Sequence, residues 1–446
     1  MISGSPSFKI VLLVAISLAS TQFAFGEKSA ISTPYNYQPE EPGKQAFLLE
    51  DAGELEQLYV RRGIRYSHPA IEELLEHILY RLAPPLTDAY ISYRIYLIRD
   101  PSPIAFSLLD GQIYLHSGLL ARLENESQLA AVVAHEIHHV AAHHHISADR
   151  SRRSKEAGTQ SVTVIADILL KTGGGLTGLA NTLAFMAKTT FGVEAEMEAD
   201  HYGLQLMEAA GYDPGAARRV LELILEDPEF VTPRLLGAWS TQDEFDARLA
   251  ALDQANDTVA PQVDATTVKS PEQIRPITRS LIMMTIDDYI RVDHPGTAVG
   301  LCDKLLAVLP DDDTLHAAKG DALRALGPRP QVVTEQLSKG ERRRRDRLTR
   351  AELFDEFMAT EAGQAHYKRN LDQAQIAYEH AIDINAASSR AHHGLGELFF
   401  ERADYRQAAR HYIQYLQLNP DAIDRSIVID QLQKIRSRLQ TNTETP

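Results

Sequence analysis

The chain has 446 residues, 44% of them hydrophobic and 24% charged, enough for two or three domains with sizeable cores. Lys and Arg number 45 against 61 Asp and Glu, and the net charge of −16 argues against non-specific binding to nucleic acid. A single cysteine, Cys302, excludes a disulfide framework and any zinc site built on paired thiolates, and its apolar helical surroundings mark it as a small buried hydrophobe.

The N-terminus reads as a secretory signal peptide over 1–26. Lys9 precedes an apolar run from Ile10 to Ala19, and Ala24 and Gly26 are the small residues of a cleavage site before Glu27. The run is too short to span a membrane comfortably, and no later stretch is apolar enough, so no transmembrane segment is expected after cleavage. Residues 27–45 read as an extended lead-in rich in Pro, Ser, Gly and Tyr.

From 46 to 255 helical and extended patterns mix. Pro69 to Leu82 has helical spacing, and Tyr93 to Ile98 reads as a strand. Gln112 to His116 is a second strand after the Asp110-Gly111 turn, and it is the expected partner for an extended peptide. Leu129 to His145 and Val193 to Ala210 read as helices, the latter closed by Gly211, and Asp213-Pro214 opens another. Residues 256–276 turn polar, with Pro261 and Pro271, and read as a linker. Residues 277–446 read as helical. Ala374 and Tyr378 recur 34 residues later as Ala408 and Tyr412, and Ala298, Leu305 and Pro310 keep the same internal spacing. This is the tetratricopeptide period, in which helical hairpins bury their apolar faces by stacking. Arg342 to Arg345 read as a solvated basic face able to attract an acidic partner.

The string His135-Glu136-Ile137-His138-His139 carries the chemistry. Histidines at i and i+4 share one helical face, so two imidazoles reach one metal, and Glu136 between them is placed to deprotonate a metal-bound water. The apolar Leu129 to Ala134 gives that helix a rigid anchor. A hydrolytic zinc site needs a third protein ligand and an open position. In Glu194-Ala195-Glu196-Met197-Glu198-Ala199-Asp200, Glu196 is placed to be that ligand, and Asp200, one turn on, to hold a ligand histidine by its other nitrogen. Glu194 and Glu198 read as a solvated face. His138, His143, His144 and His145 read as solvated or supporting groups, not ligands.

Two weaker signals carry no function. Thr172 to Leu176 lacks the Lys and Ser/Thr of a phosphate loop, and Asn125-Glu126-Ser127 matches a glycosylation acceptor only formally.

The HExxH segment and the Glu196 to Asp200 segment together resemble the zinc peptidases that include HtpX, the CAAX prenyl endopeptidase and BepA. Ala105-Phe106-Ser107, Gly111 to Leu115 and Ser117 to Leu120 are similar too, so the resemblance covers about residues 60–255. It implies an α+β, mostly helical fold: a zincin-type metallopeptidase domain over 46–255, then an all-α tetratricopeptide-like domain over 277–446. It also implies one Zn2+ per chain on His135, His139 and Glu196, with Glu136 as base. The signal peptide and helical array match the BepA-like periplasmic members. Those act on misfolded or stalled outer-membrane proteins and on the assembly machinery, which implies protein partners and no nucleic acid.

The chain departs from that family at one point. Where members often carry Ser-Thr-His-Pro with Arg six residues after the His, this chain has Ser240-Thr241-Gln242-Asp243 and Arg248. Gln242 offers a developing oxyanion only a neutral hydrogen bond. The alternative reading is therefore a chaperone or scaffold with weak or silent peptidase activity.

Overall fold

The structure, a computed structural model, describes residues 57, 59–61, 63–82, 93–145, 191–226, 242–256, 268–328, 344 and 348–441. The signal peptide, the lead-in, the Thr172 to Leu176 segment and most of the Arg342 to Arg345 run lie outside the described residues.

Among the described residues the fold is mostly helical with one small sheet. Strand β1 (Arg65–Tyr66) leads into helix α1 (Pro69–Leu82), followed by β2 (Arg94–Ile98), β3 (Ala105–Ser107) and β4 (Gln112–His116). The sheet order is β1-β2-β4-β3. Tyr114 of β4 faces Tyr96 of β2 in parallel register and Phe106 of β3 in antiparallel register. β4 is therefore an interior strand with both edges paired, and β1 and β3 are the edge strands. This corrects the expectation that β4 would receive an extended peptide. The predicted strand was right, but its neighbours come from elsewhere in the chain and already use its hydrogen bonds.

Helices α2 (Ser117–Leu120), α3 (Glu126–Ala141), α4 (Val193–Ala209), α5 (Gly215–Leu225) and α6 (Gln242–Asn256) follow. At Gly118 the backbone N–H donates to the Asp100 carbonyl at 2.9 Å, and a Cβ would lie 1.8 Å from the Pro101 oxygen, so only glycine fits. Helix α3 starts at Asn125, whose side chain accepts from Gln128 N, so the formal glycosylation acceptor is a helix cap. Its end differs from the expected His145. The helix stops at Ala141, and His143 takes a left-handed φ of 53° that turns the chain back toward the helix.

Helices α7 (Pro271–Arg291), α8 (Pro295–Leu306) and α9 (Asp313–Leu326) continue the same core, in which Ile71, Ile113 and Val133 join Leu281, Tyr289, Ala298 and Ala322. Residues 271–276, expected in a linker, are thus the first turns of a helix. Pro271 occupies a position where a missing N–H costs nothing, Gln273 Oε1 accepts from Ser270 N at 2.9 Å, and Ile274 is buried. Polar composition suggested a loop, but an N-terminal turn is polar for its own reasons. Cys302 is buried on α8, where burial pushes its thiol up to about 12.

Helices α10 (Arg350–Met358), α11 (Glu361–Ile384), α12 (Ser389–Glu401), α13 (Tyr405–Leu418) and α14 (Arg425–Thr441) complete the described residues. The residues that repeat at 34 are the packed ones. A Cβ on Gly320 or Gly394 would lie 2.5 or 2.3 Å from the Tyr378 ring, and one on Gly396 would lie 2.6 Å from Tyr412. Both tyrosines are fully buried, with hydroxyls donated to Asp321 and Glu397.

Candidate metal centre

The site is built where α3 crosses α4. Ala199 is fully buried, and Gly203 one turn later has its α-carbon face against the His135 backbone, so small residues let the two helices approach. That closeness brings Glu196 and Asp200 to the histidines. His135 Nε2 lies 2.9 Å from His139 Nε2, 3.4 Å from Glu196 Oε2, and His139 Nε2 lies 3.6 Å from Glu196 Oε1. The three donor atoms all lie within 4.8 Å of one another.

Each of the two histidines is oriented through its other nitrogen. His135 Nδ1 sits 3.0 Å from Asp200 Oδ1, and His139 Nδ1 sits 2.9 Å from His144 Nδ1 while its ring stacks on Phe191 at 4.0 Å. Arg248 of α6 closes the far side. Its Nε and Nη2 grip Asp200 Oδ2 and Oδ1 at 2.7 and 2.8 Å, and its Nη1 lies 2.8 Å from Glu196 Oε2.

The electrostatics follow from this crowding. Burial works against the His135 imidazolium, but Asp200 and Glu196 outweigh it and bring its pKa up to about 10. Burial, with the neighbouring histidines, holds His139 well below its usual range. Against burial, His135 and Arg248 hold Asp200 and Glu196 below the ordinary carboxylate range. Glu136 is different: burial pushes its carboxyl up, toward the range in which a general base works. The donor set, two imidazoles and a carboxylate with no thiolate, suits zinc in a hydrolytic site.

The structure thus brings together His135, Glu136, His139, Glu196, Asp200 and Arg248. Gln242 begins α6, six residues before Arg248, and its side chain lies outside the described residues. Sequence reasoning did not settle the burial of the other histidines. Of the two roles the sequence left open for them, solvated or supporting, the structure shows the second: His138, His144 and His145 are all at most 6% exposed, His144 Nδ1 meets His139 Nδ1, and His145 Nε2 donates to the Ser107 carbonyl at 2.8 Å. A turn that folds back at His143 was invisible in a pattern that simply ran on as helix.

Residues 66–270 match the model of peptidase family M48. Among curated proteins, the beta-barrel assembly-enhancing proteases of Yersinia pestis and Escherichia coli are similar, 30% and 29% identical over 169 residues, 37% of this chain. The mitochondrial metalloendopeptidase OMA1 of Schizosaccharomyces pombe is 34% identical over 132 residues, 30% of this chain and 37% of its own length. The match covers 35% of the Yersinia relative and 34% of the Escherichia relative, so the chain spans about a third of the curated relatives it matches. Among the described residues no helix is long and apolar enough to cross a membrane.

Proposed function

We propose that the chain is a zinc-dependent endopeptidase of the bacterial periplasm, acting on misfolded or stalled envelope proteins. The observation that carries this reading is the convergence of His135, His139 and Glu196 beside the buried Glu136. Those three residues would hold one zinc ion, which supplies a polarised scissile carbonyl and a water of lowered pKa. The protein's own groups do the rest. Glu136 takes the proton from water and returns it to the leaving amine, helped by a carboxyl already raised by burial. Asp200 fixes His135, and Arg248 fixes both Asp200 and Glu196.

Extended, unfolded segments are the substrates that this site favours. In the β3 register, Ile104, Phe106 and Leu108 turn their backbone groups to β4 and the Ser107 carbonyl accepts from His145 Nε2, which leaves Ala105 turning its backbone groups outward, next to α3. A peptide strand added there runs past the catalytic helix. The relatives' name, beta-barrel assembly-enhancing protease, supports an outer-membrane assembly setting, and the expected signal peptide supports the compartment. The helices after α9 serve as the docking surface for substrate or assembly partner. Gln242 supplies a neutral hydrogen bond to the developing oxyanion, so Gln242→Ala slows hydrolysis about 100-fold without releasing zinc.

The test is proteolysis of an unfolded model protein by the full chain, with and without a chelator, and by Glu136→Gln. Cleavage that the chelator stops and zinc restores is expected, with the variant inactive but metal-bound. Cleavage that survives either treatment overturns the assignment, and no cleavage by metal-loaded wild type favours the scaffold reading.

A further inference from the structure

Beside the first cluster lies a second one with nearly the same dimensions. His138 Nε2 is 3.4 Å from Glu198 Oε1, and His144 Nε2 is 3.6 Å from Glu198 Oε2. In the first cluster the histidine-to-Glu196 distances are also 3.4 and 3.6 Å. A tetrahedron with metal–ligand bonds of about 2.0–2.2 Å has edges of about 3.3–3.6 Å, so the histidine-to-carboxylate edges of both clusters have the size that a small cation requires. The three donor atoms of the second set again lie within 4.8 Å of one another.

An independent observation points into this space. His138 is 2% exposed, and its Nε2 faces only the Glu198 carboxylate, 3.4 Å away and outside hydrogen-bond geometry. A buried ring nitrogen of that kind calls for a partner. The ring is held for the purpose, stacked on Tyr202 at 4.6 Å with an interplanar angle of 13°. His144 reaches the site through the turn at His143, whose left-handed conformation is uncommon for a residue with a side chain and persists where the surroundings impose it. Glu198 is half exposed and leaves the remaining coordination positions open to water.

We propose that His138, His144 and Glu198 form a second metal site, for a divalent transition ion that accepts two imidazoles and a carboxylate, zinc first among them. The two sites are joined through the His139 Nδ1 to His144 Nδ1 contact of 2.9 Å. When His139 binds a metal through Nε2, its proton sits on Nδ1 and is donated to His144, whose own proton then sits on Nε2. A metal on His144 Nε2 releases that proton to solvent and leaves the ring an imidazolate while its Nδ1 still accepts from His139, so the second site fills after the first and more weakly.

The experiment is zinc loading of the full-length protein across buffered free-zinc concentrations, with bound metal counted per chain and cobalt used as a spectroscopic substitute. Two steps reaching two ions per chain are expected. Glu198→Gln, at a half-exposed position that tolerates the change, loses the weaker step and keeps the tighter one, and circular dichroism verifies its fold. His138→Gln gives the same result, whereas Glu196→Ala removes the tighter step and keeps one ion. A wild type that saturates at one ion overturns the proposal, as does a second ion that Glu198→Gln and His138→Gln both leave in place. Binding of no metal at all instead overturns the zinc peptidase reading itself.

Discussion

Arg248 shows how one side chain far along the sequence organises the candidate metal centre. Its guanidinium grips Asp200 with two hydrogen bonds and reaches Glu196, so it fixes two carboxylates that would otherwise repel each other. Its positive charge also opposes a zinc ion nearby, so removing it has two opposite effects. Arg248→Lys separates them by keeping the charge and losing the fork. We expect the variant to fold and to bind zinc about 10-fold more weakly, measured by competition with a zinc buffer. Unchanged affinity would mean that the ligands hold their positions without it.

His145 is a second residue-scale case, and its consequence is for stability. Its Nε2 donates to Ser107, its Nδ1 is buried without a partner, and burial lowers its pKa to about 4. The folded pKa lies below the ordinary value of 6.5, so protons favour the unfolded chain. Its contribution is full above pH 6.5 and declines as pH falls toward 4, by about 2–3 kcal/mol. His145→Gln keeps a donor for Ser107 but does not titrate, so its urea unfolding should lose less stability between pH 7 and pH 4.5 than the wild type. Parallel losses in both proteins would remove His145 from the acid response.

Among the elements, the first turn of α3 carries a load that its sequence does not advertise. Glu126 is fully buried, accepts from the Tyr212 hydroxyl at 2.9 Å and from Lys269 N at 2.8 Å, and so ties α3 to the end of α4 and the entry to α7. Glu126→Ala leaves a buried hydroxyl and a backbone N–H unpaired. The expected cost is about 2–6 kcal/mol in chemical unfolding, at about 1–3 kcal/mol per orphaned group, with Glu126→Gln intermediate. A cost below about 0.5 kcal/mol, typical of a surface change, would mean that water replaces both bonds. The buried set Asp100, Ser102 and His116 looks like a nucleophile triad, yet Ser102 Oγ donates to Asp100 at 2.6 Å and is 1% exposed. It braces the turn before Ile104 and offers no nucleophile.

At the scale of the molecule, the peptidase core does not end where composition changes. Arg99 binds Asp288 of α7 with two hydrogen bonds of 2.8 Å, Tyr289 donates to the Pro101 carbonyl, and α8 and α9 add to the same apolar cluster. A chain ending at 276 exposes that core and should fail to unfold cooperatively. A chain ending at 328 keeps α7 to α9, and we expect it to melt cooperatively and to hydrolyse a short peptide while losing partner capture. Cooperative melting of the shorter chain would place the boundary where the sequence suggested it.

Much of the site was legible in the sequence because its parts are local. His135 and His139 share a helical face by spacing alone, Glu196 and Asp200 do the same, and no distant residue is needed to see either pair. The strands over 94–98 and 112–116 and the helix over 69–82 were equally readable, since alternation and helical periodicity are properties of short segments. What only the tertiary structure decided is what lies opposite what. The interior place of β4, the grip of Arg248 on Asp200, the reversal at His143 that buries His144 against His138, and the attachment of α7 to the peptidase core all join residues by contacts that no short window contains. Periodicity fixes which face of an element is apolar, but packing chooses the neighbour that covers it. Here that choice set two histidine clusters side by side.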